Sequence, residues 1–129
     1  MMMNEIYIPI SLGELIDKIS ILEIKVNKLD TIKLNNCQKE LSALTIILKE
    51  LTVEIDHELI NALSKLNKEL WDIEDSIREQ ERRKTFGKEF IDLARSIYKK
   101  NDIRAAIKKE INEKYSSNFI EEKSYQRYS

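Results

Sequence analysis

Glu54-Ile55-Asp56-His57 sets a carboxylate and an imidazole three residues apart, the spacing that binds iron or manganese inside helical bundles. Such a centre needs two of these pairs and two further carboxylates, whereas His57 is the one histidine of the chain. Asp56 reads instead as a helix N-cap, which leaves His57 at a solvated helix start. No metal site is expected. Cys37 falls on an apolar stripe with no histidine near it in sequence, so it reads as a small hydrophobe rather than a nucleophile. The two glycines, Gly13 and Gly87, stand far apart. A phosphate loop or a dinucleotide fingerprint cannot be built from them, and no cofactor is expected.

The residues best suited to hold something are cationic. Met1 to Glu81 carries 9 basic and 16 acidic residues, whereas Arg82 to Lys109 carries 10 basic and 3 acidic. So compact a basic segment attracts anions. Arg95, Tyr98, Asp102, Arg104 and Lys108 surround an expected helix junction, where free backbone N–H groups would suit a phosphate or carboxylate. Arg78 stands four residues after Glu74 and beside Trp71, a pairing that serves a planar anionic ligand or a subunit interface. Lys18 is a cation of the first helix. The candidate ligand set is therefore Lys18, Arg78, Arg95, Tyr98, Arg104 and Lys108, and no residue is assigned a catalytic role. The competing reading pairs the basic segment with the chain's own acidic half and with Glu121 and Glu122. Nucleic acid is disfavoured by a sequence pI near 6.0 and the lack of a reader motif.

These groups must be positioned by helices. From Gly13 to Gly87 the chain holds no other glycine and no proline, and its leucines and isoleucines recur at steps of three and four. Ile6, Ile8 and Ile10 alternate, so residues 1–10 read as an extended lead-in. Ser11 follows as an N-cap, with Glu14 placed to complete a capping box. The first helix carries Leu12, Leu15, Ile19, Leu22, Val26 and Leu29. A second, capped by Asp30 or Thr31, carries Leu34, Cys37, Leu41, Leu44, Leu48 and Leu51. A third runs from Asp56 to about Lys84 on Leu59, Leu63, Leu66, Leu70, Ile73 and Ile77, a length of about 40 Å. Thr85-Phe86-Gly87 ends it. Residues 86–115 are expected to form two shorter helices parted at Asn101 and Asp102, and residues 116–129 a polar tail.

With 129 residues, 42% of them hydrophobic and 35% charged, this is one all-α domain. Its long helices over 11–84 form an antiparallel, coiled-coil-like hairpin, and a smaller C-terminal pair completes a helical bundle. Ile16, Ile21, Ile24, Ile46, Ile47, Ile60 and Trp71 fall outside the main stripes and call for cover, most simply by a second copy in a two-fold homodimer. The N-terminus lacks a basic region followed by an apolar run, and no stretch approaches the roughly 20 apolar residues of a membrane span. With a single cysteine, the chain reads as cytoplasmic.

Four blocks, taken in order, also resemble a family of small uncharacterised bacterial helical proteins, a domain of unknown function. They are IPISLGELIDKISILEIK from Ile8, LWDIEDSIR from Leu70, FIDLARSIYKKNDIRAAIKKEIN from Phe90 and EEKSY from Glu121. The resemblance implies a helical intracellular protein and brings no activity with it. It also implies a shared polar site, formed by the first helix, the junction and the tail, because the blocks hold Glu14, Asp17, Lys18, Lys25, Glu74, Asp75, Arg78, Arg95, Asn101, Asp102, Arg104 and the EEKSY tail. Two functions follow as expectations. The first is a non-enzymatic homo-oligomeric scaffold or adaptor that binds protein. The second is a small helical enzyme or binding module for an anionic small molecule.

Overall fold

A computed structural model describes residues 4–128, which form four helices and no strand. Helix α1 spans Leu12–Lys28, α2 Thr31–Glu50, α3 His57–Arg83 and α4 Lys88–Lys114. The fold is all-α. Residues 4–10 are neither helical nor strand-paired and expose Ile6, Tyr7 and Ile8. The start of the expected lead-in, at Met1–Met3, and the end of the tail, at Ser129, lie outside the described residues.

Caps set the helix boundaries. The Ser11 hydroxyl accepts from the Glu14 amide at 3.1 Å, satisfying one of the unpaired N–H groups at the start of α1. Glu14 does not close the box: its carboxylate lies 2.6 Å from Lys108 Nζ of α4. Asp56 caps α3 by accepting from the Glu58 amide at 2.9 Å. Helix α3 ends at Lys84, whose φ of 57° and ψ of 37° are left-handed, and Gly87 precedes α4.

Helix α1 is the hub, lying beside α2, α3 and α4, whereas α2 runs beside α1 alone. Leu15, Ile16, Ile19, Leu22 and Ile24 of α1 are buried with Leu63, Leu66 and Leu70 of α3 and Ile111 of α4. Two of the residues outside the stripes, Ile16 and Ile24, are thus covered within the chain and need no second copy. No residue of α2 is buried. Ile46 stays 57% exposed and Ile47 42%, and Cys37 is half-buried rather than enclosed.

The expected pair of C-terminal helices is one helix of 27 residues. Asn101 and Asp102 do not interrupt it. Lys100 Nζ donates to Glu69 of α3 at 2.8 Å, and Arg104 is bound to Asp17 of α1. These contacts bracket Asn101 and fasten α4 to α3 and α1 on either side of it, overriding a weak local preference for ending a helix there. Arg104 therefore sits well inside α4, and no free helix N-terminus faces it.

Candidate functional site

Three helices and the tail converge on a buried polar cluster. Asp17 is 1% exposed although it sits on α1 among leucines and isoleucines. The α-helical spacing of Asp17 and Ser20 turns both toward α3, where Asn67 follows Leu63 by one turn. Asn67 Nδ2 donates to Asp17 Oδ1 at 2.9 Å and to Ser20 Oγ at 3.2 Å. From α4, Arg104 Nε donates to the same Oδ1 at 3.0 Å, and Arg104 Nη2 donates to Asp17 Oδ2. This is the two-pronged guanidinium–carboxylate geometry. A third Arg104 nitrogen, Nη1, reaches Asn101 Oδ1 at 3.4 Å.

One turn further along α4, Lys108 Nζ lies 2.6 Å from Glu14, 3.6 Å from Asp17 and 3.3 Å from Glu121 of the tail. The two helices approach closely here. A methyl group on Gly13 would stand 2.6 Å from the Lys108 carbonyl oxygen, so only glycine fits. The Gly13 amide donates to Asn112 Oδ1 at 2.7 Å, and the Leu12 amide donates to Ser117 Oγ at 3.2 Å. At the same end of α4, the hydroxyl of its C-cap Tyr115 accepts from the amide of Asp56, the N-cap of α3, at 2.7 Å. Every buried side-chain nitrogen and oxygen among the described residues has a partner, as buried polar groups require.

The electrostatics follow from this geometry. Burial pushes the Asp17 carboxyl up, but hydrogen bonds from Arg104 and Asn67, with the Arg104 and Lys108 charges, hold it below its ordinary value of 3.8. Burial pulls the Lys108 ammonium down, and the Glu14 hydrogen bond with the charges of Asp17, Glu14 and Glu121 more than offsets this. The Asp17 hydrogen bond raises Arg104 further. Both cations and Asp17 are therefore charged near neutral pH.

The structure brings Arg104 and Lys108 of the candidate set together and separates the rest. Lys18 is exposed and 3.7 Å from Glu14 at the rim. Arg78 pairs with Glu74 along the outer surface of α3 at 2.8 Å. Arg95 is exposed on α4. Tyr98 packs edge-on against Tyr128 of the tail at 5.3 Å, in a groove of about 850 Å³ between α4 and the tail. That groove is balanced, with Asp102, Glu121 and Glu122 against Lys109, Lys123 and Arg127. His57 and Glu54 are exposed, and among the described residues no three His, Cys, Asp or Glu side chains cluster as a metal would need.

Ser20, Asn67 and Asn112 escaped the reading of the sequence. One signal was present. Asn67 stands four residues after Leu63 and three before Leu70, so it is a polar residue in core register, whereas Asn112, four after Lys108, carries no such mark.

Over residues 6–128 the chain matches the model of a family of unknown function, DUF6165. No curated protein and no solved structure matches it.

Proposed function

We propose that this chain, which belongs to the family of unknown function DUF6165, is a non-enzymatic scaffold that self-associates and binds protein through its helical surface. One observation carries this reading. The cations best placed for an anionic ligand, half-buried Arg104 and buried Lys108, are already neutralised by carboxylates of the same chain: Asp17 on Arg104, and Glu14, Asp17 and Glu121 on Lys108. An incoming phosphate or carboxylate would have to displace tethered groups whose effective concentration is about millimolar or higher. It would also leave Asp17, 1% exposed, buried and unpaired.

What remains available is surface. Helix α2 presents Ile32, Ile46 and Ile47 to solvent, and α4 presents Ile91 and Ile103. Exposed apolar side chains grouped along a helix suit protein contacts. A cytoplasmic setting belongs to the same reading: Cys37 is the chain's only cysteine, and no described helix is long and apolar enough to cross a membrane.

Native mass spectrometry of the purified protein tests the proposal. The expected result is a multiple of the 15.3 kDa chain mass with nothing else bound. An added anionic mass that disappears in Lys108→Gln would overturn it in favour of a small-molecule module.

A further inference from the structure

The exposed face of α2 carries a charge pattern that fits its own image. At 100° per residue, Lys39, Ala43, Ile46, Ile47 and Glu50 fall within an arc of about 100°. This arc points away from the half-buried Leu41, Leu44 and Leu48 that face α1, and all five of its residues are exposed. Among the described residues neither Lys39 nor Glu50 forms an ion pair, in common with Lys33, Glu40 and Lys49 of the same helix, whereas α1, α3 and α4 each carry several.

We infer that this face is a two-fold interface with a second copy of the same chain, α2 running antiparallel to α2. The inference rests on the self-association read above and specifies where it occurs. A two-fold axis passing midway between Lys39 and Glu50 places each Lys39 opposite Glu50 of the second copy, so one ion pair closes each end of the contact. Between them lie Ala43, Ile46 and Ile47 of both copies. The small Ala43 near the axis lets the helices approach closely. A parallel arrangement in the same register would set Lys39 against Lys39 and Glu50 against Glu50, so the charges select the antiparallel one. Such a contact is isologous and closes on itself.

Two helices of about 30 Å make a small interface, at the weak end of specific association, so the dimer should be reversible. Sedimentation velocity of the full chain from about 1 µM to about 1 mM would show a concentration-dependent shift from monomer to dimer. Ile46→Asp should weaken the dimer about tenfold or more while leaving helicity and the melting temperature of the dilute monomer unchanged, because Ile46 is 57% exposed in the single chain. Lys39→Glu alone and Glu50→Lys alone should each weaken it, and the double exchange should restore it. A dimer indifferent to Ile46→Asp and to both single charge reversals would overturn this interface while sparing self-association. A chain that stays monomeric throughout would overturn both.

Discussion

Replacing Asp17 by Asn removes one charge from the most enclosed carboxylate of the molecule with almost no change of shape. The substituted side chain would keep a carbonyl for the Asn67 amide, now 2.9 Å away. Its own NH2 group, however, would confront Arg104 donor to donor. Removing one partner of a buried ion pair costs about 3–5 kcal/mol, because the other charge is left unpaired. The Arg104 side chain is 27% exposed and recovers part of that loss from water, so the lower end, about 3 kcal/mol, is expected. For a domain of this size that is a fall of about 10 °C or more in melting temperature at pH 7, read by circular dichroism. The pH dependence supplies a second reading of the same effect. Asp17 titrates below its ordinary value of 3.8 in the folded chain. Its stabilisation is therefore complete above about 3.8 and disappears as pH falls through the lower, folded value. The gap between the native chain and Asp17→Asn should accordingly narrow on going from pH 7 to about pH 2.5. A double-mutant cycle with Arg104→Gln should return a coupling of about 2 kcal/mol. A melting temperature within about 2 °C of native at pH 7, or a gap that ignores acid, would refute the assignment of the cluster as the joint between α1 and α4.

Gly13→Ala should cost about 2–3 kcal/mol in urea unfolding, since the added methyl meets a backbone carbonyl at 2.6 Å and Asn112 Oδ1 at 3.0 Å; a neutral or stabilising result would mean that the helices are not so close. Tyr115→Phe should cost about 1–2 kcal/mol, because the Asp56 amide loses its acceptor. Faster amide hydrogen exchange at Asp56 would report that loss directly, and unchanged exchange would count against the bond.

Fold class and element boundaries were legible because they depend on local rules. The long leucine and isoleucine stripes, the Ser11 and Asp56 caps and the break at Thr85–Gly87 each involve residues a few positions apart, and they are seen in the structure except that Leu29 and Leu51 fall just past the ends of α1 and α2, with Leu51 exposed. The continuity of α4 was not legible, because Asn101 is held in helix by Lys100–Glu69 and Arg104–Asp17, pairs separated by dozens of residues. The same limit applies to the polar cluster. Arg104 and Lys108 stood out as cations, and the expected pairing with the tail is seen at Lys108–Glu121 and Lys109–Glu122, but Glu14 and Asp17 could be picked out as partners only once α1 and α4 were laid side by side. Glu14 shows how a local rule yields to a distant one. Its amide behaves as a cap residue should, while its carboxylate leaves the cap for Lys108.

The division of labour between α1 and α2 follows from where the polar groups are spent. Helix α1 is flanked by three helices, and the polar groups it turns inward must each be matched. Gly13, Glu14, Asp17 and Ser20 all find partners on α3 or α4. Satisfied buried ion pairs add little net stability over apolar packing, yet any sliding of α1 along α4 would break all of them together. The cluster thus fixes register more than it binds helices. Helix α2 has no such anchor. It lies along α1 through half-buried leucines, and its opposite face makes no contribution to the fold of the single chain. Substitutions on that outer face can therefore alter assembly without touching the stability of the single chain, whereas substitutions in the cluster do the reverse. An exposed face that combines isoleucines with opposite charges in self-complementary order is not needed for folding, and contact with a second copy is a use that accounts for both features at once.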